Sequence, residues 1–168
     1  MTSLNFDPIE KASEQWAERW GEESVPAMAA VTSVFRVQQV LIDRLNRILK
    51  PYHLSFARYQ ALILLYFSRS GELTLSKMSE RLQVRKASIT NLVDGLEILG
   101  YVTRKPGSRD RRQTYAVITE RGRNIAAASA ERLIQEGFGT SPIENGELEQ
   151  ITELLTSIRA EAGGFETG

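Results

Sequence analysis

Between positions 105 and 112 the chain gathers Lys105, Arg109, Arg111 and Arg112 around one acid, Asp110, in and beside the turn-forming run PGSRD. Cations held this close repel one another, and an anionic partner relieves the repulsion. Guanidinium groups suit phosphate through paired hydrogen bonds, and a cationic side chain on a hairpin can enter a narrow minor groove of DNA. Upstream, Arg85, Lys86, Ser88, Thr90 and Asn91 crowd the start of a segment with helical periodicity. Short polar side chains there can meet base edges in a major groove, and a helix N-terminus itself favours phosphate. Each cluster taken alone also reads as a solvated surface. The two together point to a grip on nucleic acid.

Such a grip needs two elements to hold it. Thr74 is placed to cap a short helix from about Leu75 to Leu82, and Gln83-Val84 makes a tight turn. A second helix follows from about Lys86 to Leu99, with Ile89, Leu92, Val93, Leu96 and Leu99 on its apolar face and Gly100 as its stop. Tyr101 to Lys105 and Arg112 to Ile118 read as the two strands of a hairpin. Helix, turn, helix, strand, basic turn, strand is a winged helix-turn-helix, assigned to residues 52–119.

The rest of the chain is helical. Ile9, Ala12, Trp16 and Trp20 are spaced for an accessory helix in an N-terminal extension, residues 1–25, which Gly21 to Pro26 interrupts. Val34, Val37, Leu41, Leu45 and Ile48 mark one face of a long helix within 26–50, ended by Pro51. Ser55 is an N-cap for the next helix, which carries Tyr59, Leu62, Ile63 and Tyr66. Thr119 caps a helix from Glu120, and Ser141 or Asn145 starts a last one with Leu148, Ile151, Leu154, Leu155 and Ile158 apolar, together spanning 120–162. The expected fold class is mainly α with a small β-hairpin, a winged helix-turn-helix flanked by N- and C-terminal helices.

Composition narrows the function. Hydrophobic residues at 42% and charged residues at 25% suit a soluble globular protein. The N-terminus lacks a secretory pattern and no long uncharged apolar run is seen, so a cytoplasmic protein with no membrane partner is expected. With no cysteine and a single histidine, His53, thiolate, histidine-metal and thiol-redox chemistry fall away. No nucleophile–base pair or phosphate-cradling glycine loop is visible, so neither an enzyme nor a cofactor is expected. Net charge is zero, yet the middle of the chain is basic and both ends are acidic. A local basic patch is what draws a phosphate backbone, and overall charge conceals it.

The run from Leu73 through Gly122 resembles the multiple antibiotic resistance regulator (MarR) family. The resemblance rests on Leu96-Glu97 with Gly100-Tyr101-Val102 after the second helix, Asp110-Arg111-Arg112 in the wing, and Ile118-Thr119 with Gly122 opening the next helix. The order of flanking helices extends it over roughly residues 27 to 162. It implies a sequence-specific transcriptional regulator: a homodimeric repressor on a pseudo-palindromic double-stranded operator. Residues 26–50 and 120–162 would then be dimerisation helices, with Val34, Val37, Leu41 and Leu45 meeting Leu148, Ile151, Leu155 and Ile158 in the interface. An intramolecular core predicts the same apolar spacing. The resemblance also implies that Asp110 orients Arg112 into the minor groove. Family members usually carry Ser or Thr where Arg85 stands, which makes Arg85 a candidate phosphate contact rather than a cap.

Small aromatic or phenolic ligands commonly release such regulators. Arg36 resembles a carboxylate-binding arginine of that kind, though it could equally pair with Asp43. Trp16, Tyr59 and Tyr66 are the aromatic ligand candidates; Trp16 and Trp20 read more simply as a staple for the accessory helix. Gln60 stands where urate-responsive relatives would have an acid. The competing reading is a DNA-binding architectural or antagonist factor with no effector.

Overall fold

The structure, a computed structural model, describes residues 4–107 and 113–162. Asp7 caps α1 (Pro8–Trp20) by accepting from the Ile9 N–H at 2.8 Å. A short 3₁₀ turn over Glu22–Ser24 then leads into α2 (Val25–Leu49). Pro26, expected to interrupt the chain, lies in the first turn of α2, where the missing N–H costs nothing. The Ser55 hydroxyl accepts from the Arg58 N–H and opens α3 (Phe56–Tyr66). The Phe56 N–H is meanwhile taken by Asn46 Oδ1 at 2.8 Å, which ties α2 to α3.

Next come β1 (Glu72–Thr74), α4 (Leu75–Arg81), α5 (Lys86–Ile98), β2 (Val102–Pro106) and β3 (Thr114–Ile118). The expected two-stranded hairpin is the larger part of a three-stranded antiparallel sheet in the order β1-β3-β2. β1 was missed because three residues are too few to show alternation, and Thr74 ends the strand while also capping α4. Leu73 lies opposite Ala116, and Val102 opposite Ile118, so the buried residues share one face of the sheet.

Thr119 accepts from the Gly122 N–H at 2.9 Å and starts α6 (Glu120–Gln135). α7 (Asn145–Glu161) starts at Asn145, one of the two expected starts, and not at Ser141; Glu144 caps it in a reciprocal box with Glu147.

α3 is the hub. It packs against α2, α5, α6 and β3. Ala61, Leu62 and Leu65 are fully enclosed with Met78, Ile89, Val93, Leu96 and Leu133. Leu45, which the family resemblance assigns to an interface between copies and the apolar spacing equally to an intramolecular core, is only 6% exposed and belongs to this core with Leu49; Leu41 packs against the same core. The helix periodicity marked a face that turns inward at its C-terminal end. Toward its N-terminal end the same helix leaves Val31, Val34, Phe35 and Val37 exposed. α7 has no buried residue at all.

The stretch Glu22–Tyr52, within which α2 lies, is long and apolar enough by length and composition to cross a bilayer. Within it, residues 25–42 carry Arg36 as the one charged side chain.

Candidate nucleic-acid interface

The helix pair is built from local bonds. The Thr74 hydroxyl accepts from the Lys77 N–H at 3.2 Å and sets the first turn of α4. Gln83 takes a left-handed conformation with φ of 52°. Around it the Ser79 hydroxyl donates to the Val84 carbonyl at 2.5 Å, and the Val84 N–H returns to the Ser79 carbonyl at 3.1 Å. This turn aims α5 across α4.

Arg85 occupies the N-cap position of α5 in an extended conformation and makes no side-chain capping bond. Its side chain is therefore not what caps α5. Ile89, Val93 and Leu96 bury one side of α5, while Arg85, Lys86, Ser88, Thr90 and Asn91 are all exposed on the other. The division is what a helix needs if its first turns are to lie in a groove.

A cleft of about 520 Å³ runs between the first turns of α4 and α5 and the base of the hairpin, lined by Ser76, Lys77, Lys86, Thr90, Gln113 and Tyr115 among others. Of these, sequence reasoning singled out only Lys86 and Thr90. Lys77 carried a signal in its own right, a cation in the first turn of a helix next to a basic segment. Gln113 and Tyr115 gave none, because only the pairing of β3 with β2 and β1 brings them to the cleft.

The hairpin closes through the Gly107 N–H, which donates to the Gln113 carbonyl at 2.8 Å. Arg109, Asp110, Arg111 and Arg112, the residues assigned to the wing tip, lie outside the described residues. At the hairpin base one of the counted cations, Lys105, is already engaged, and so is its neighbour Arg104. Lys105 pairs with Glu72 and lies 5.9 Å from the centre of the Tyr115 ring. Arg104 pairs with Asp94 and Glu97. The sequence count of Lys105 among the self-repelling wing cations therefore overstates the free charge.

The residues proposed for a small ligand are dispersed. Trp16 packs on Trp20 with ring centroids 4.4 Å apart on α1. Arg36 is exposed on α2 and donates to Gln39 Oε1 at 3.4 Å, with no ion pair to Asp43 among the described residues. Tyr59 is 6% exposed, stacks on Phe56 and sits in the core, where burial pushes its phenol up from the ordinary tyrosine value. Tyr66, at the far end of α3, meets Phe67 edge to face. The apolar cleft of about 630 Å³ between α2 and α7 is lined by Val31, Val34, Phe35, Leu155, Ile158 and Arg159 among others, and by none of these four.

A family model described as MarR family matches residues 54–113. Sco5413, a MarR family transcriptional regulator from Streptomyces coelicolor, is 42% identical; the match covers 86% of this chain and 100% of that one, with a TM-score of 0.79. The transcriptional repressor MprA of Escherichia coli (strain K12) is 27% identical over 157 residues, 91% of this chain and 89% of MprA. A mutant MarR from Escherichia coli, solved with operator DNA, covers 76% of this chain and 91% of its own at 21% identity and a TM-score of 0.67, a likeness of fold.

Proposed function

The chain belongs to the MarR family, and is a DNA-binding transcriptional regulator of it; from that premise we propose that it acts as a homodimeric repressor on a pseudo-palindromic operator. The observation that carries this reading is the split of α5, buried through Ile89, Val93 and Leu96 and exposed through Arg85, Lys86, Ser88, Thr90 and Asn91 beside a cleft with Lys77. In the proposed complex α5 lies in the major groove. Lys77 and Lys86 meet phosphates, and the wing residues Arg109, Asp110, Arg111 and Arg112 serve the adjacent minor groove. MprA bears the name of a repressor, and the mutant MarR was solved with operator DNA; both suit the reading.

The dimer is supported by what the chain leaves uncovered. α7 buries nothing and leaves Ile151, Leu154 and Ile158 exposed, and its Leu155 and Ile158 line the apolar cleft with the exposed Val31, Val34 and Phe35 of α2. Burying a large aliphatic side chain is worth about 1.5–3 kcal/mol, so this surface favours association in water. On this reading the apolar stretch of α2 faces a second copy in the cytoplasm, not lipid. Residues 26–50 and 120–162 form the dimer domain, 52–119 the winged domain and 1–25 an accessory segment. Two α5 helices related by a two-fold axis would sit about 34 Å apart, one turn of DNA.

Release by a small aromatic or phenolic acid completes the proposal. Arg36 keeps most of its guanidinium donors exposed, which suits a carboxylate, and Trp16 and Tyr66 offer accessible ring surface. Tyr59, being enclosed, supports such a site only from behind. A mobility-shift assay with the DNA upstream of the gene tests the core of the reading: specific retardation that weakens steeply with salt is expected. Retardation no stronger than that of unrelated DNA would remove it. Melting-temperature shifts with a panel of aromatic acids separate a ligand-released repressor from an architectural factor, which would show none.

A further inference from the structure

β2 leads straight from the end of α5 into the wing, so whatever fixes β2 against α5 also sets the angle between the two DNA-contacting parts. Arg104 stands at the centre of β2. One of its guanidinium nitrogens, Nη1, pairs with the Asp94 carboxylate and lies 3.3 Å from Glu97 Oε2. The other, Nη2, donates to the Thr90 carbonyl at 3.1 Å, and the Arg104 backbone N–H donates to Glu97 Oε1 at 3.2 Å. Thr90, Asp94 and Glu97 follow one another along a single ridge of α5. The neighbouring Lys105 pairs with Glu72 of β1, so consecutive residues of β2 are fastened to different elements.

From this geometry we propose that Arg104 is a positioning residue that holds the wing in register with the recognition helix through Asp94 and Glu97. The inference rests on the reading of α5 and the hairpin as the DNA-contacting pair. It has an unusual sign. Asp94 and Glu97 are acids on the helix that faces DNA, and by charge alone each weakens binding to phosphate. As anchors for Arg104 they strengthen it. A lysine at position 104 would not serve, because an ammonium cannot span two carboxylates and a carbonyl in a planar fork. Ion pairs this exposed add little to stability, so their effect falls on geometry rather than on folding.

The test replaces both anchors together, Asp94→Asn with Glu97→Gln, and measures affinity for the upstream DNA beside the melting temperature. The expected result is roughly tenfold weaker specific binding despite two fewer negative charges, with little change in melting. Binding that is unchanged or tighter would overturn the proposal. Arg104→Glu should also lose specific binding, and adding Glu97→Arg to it should recover part of the loss; no recovery counts against the proposal. Hydrogen exchange in the free protein gives a readout that needs no DNA. Amides of residues 102–105 and of Thr114–Ile118 should lose protection in the double variant, and unchanged protection would sink the positioning role. A wild-type chain that fails to bind DNA specifically would instead overturn the functional reading, and the exchange result would still decide whether Arg104 anchors the hairpin.

Discussion

The backbone at Gly122 passes so close to Tyr101 that a Cβ at position 122 would overlap the Tyr101 carbonyl oxygen, with Ile118 Cγ1 also 3.0 Å away. The same carbonyl accepts from the Thr119 N–H at 3.0 Å, and the Thr119 hydroxyl donates to the Gly100 carbonyl at 2.8 Å. The end of α5 and the start of α6 are thereby locked together. The obstacle to a side chain is backbone, which cannot swing aside. Gly122→Ala should therefore destabilise the fold by about 1–3 kcal/mol, as overpacking does, and urea unfolding monitored by circular dichroism would measure it. A midpoint equal to that of the wild type would mean the two segments can separate without cost.

Lys86 and Asn91 should fail in different ways. Lys86 lines the cleft beside Lys77, where a phosphate contact is expected. Lys86→Ala should weaken binding about equally for all DNA sequences and reduce the slope of log Kd against log salt by roughly 1. Asn91, exposed on α5, is placed for a base edge. Asn91→Ala should cost about 1–3 kcal/mol on the preferred sequence and little on others, so competition binding with mixed DNA separates the two roles.

The wing makes a test of sign. If Arg112 reaches the minor groove with Asp110 as its orienting partner, Arg112→Ala weakens operator binding more than Arg109→Ala. Asp110→Ala then weakens it too, although the net charge becomes more positive. Titration at two salt concentrations distinguishes this from a simple electrostatic patch, for which Asp110→Ala tightens binding.

Association should depend on α7. Leu154 is 72% exposed and Ile158 66% exposed on a helix that buries nothing within its own chain. Leu154→Glu with Ile158→Glu should shift the protein from dimer to monomer in sedimentation while leaving its helical content nearly unchanged. Operator affinity should fall with it, since one winged domain grips only a half-site. A variant that remains dimeric would place the interface elsewhere.

The capping residues were legible in the sequence. Ser55, Thr74 and Thr119 each make the predicted bond to a backbone N–H two or three residues into a helix. Such bonds depend on neighbours in the chain, so a local reading suffices. The polar face of α5 was legible for the same reason, since helical spacing divides its exposed residues from Ile89, Val93 and Leu96.

Tertiary structure decided what long-range partners do. Helical spacing shows that Val34, Val37, Leu41 and Leu45 share a face, but not what covers it. The core claims Leu45 at one end and leaves Val34 and Val37 bare at the other. Tyr59 read as a ligand-facing ring until α3 proved to be the hub that encloses it. A charge count likewise cannot pair Lys105 with Glu72 or Arg104 with Asp94, because those acids come close only when the sheet forms and packs on α5. By itself the sequence determined most of the helices, the caps at Ser55, Thr74 and Thr119 and the polar face of α5, since each is set by neighbours along the chain; which cations stay free and which apolar faces stay open was settled only by the packing of distant segments.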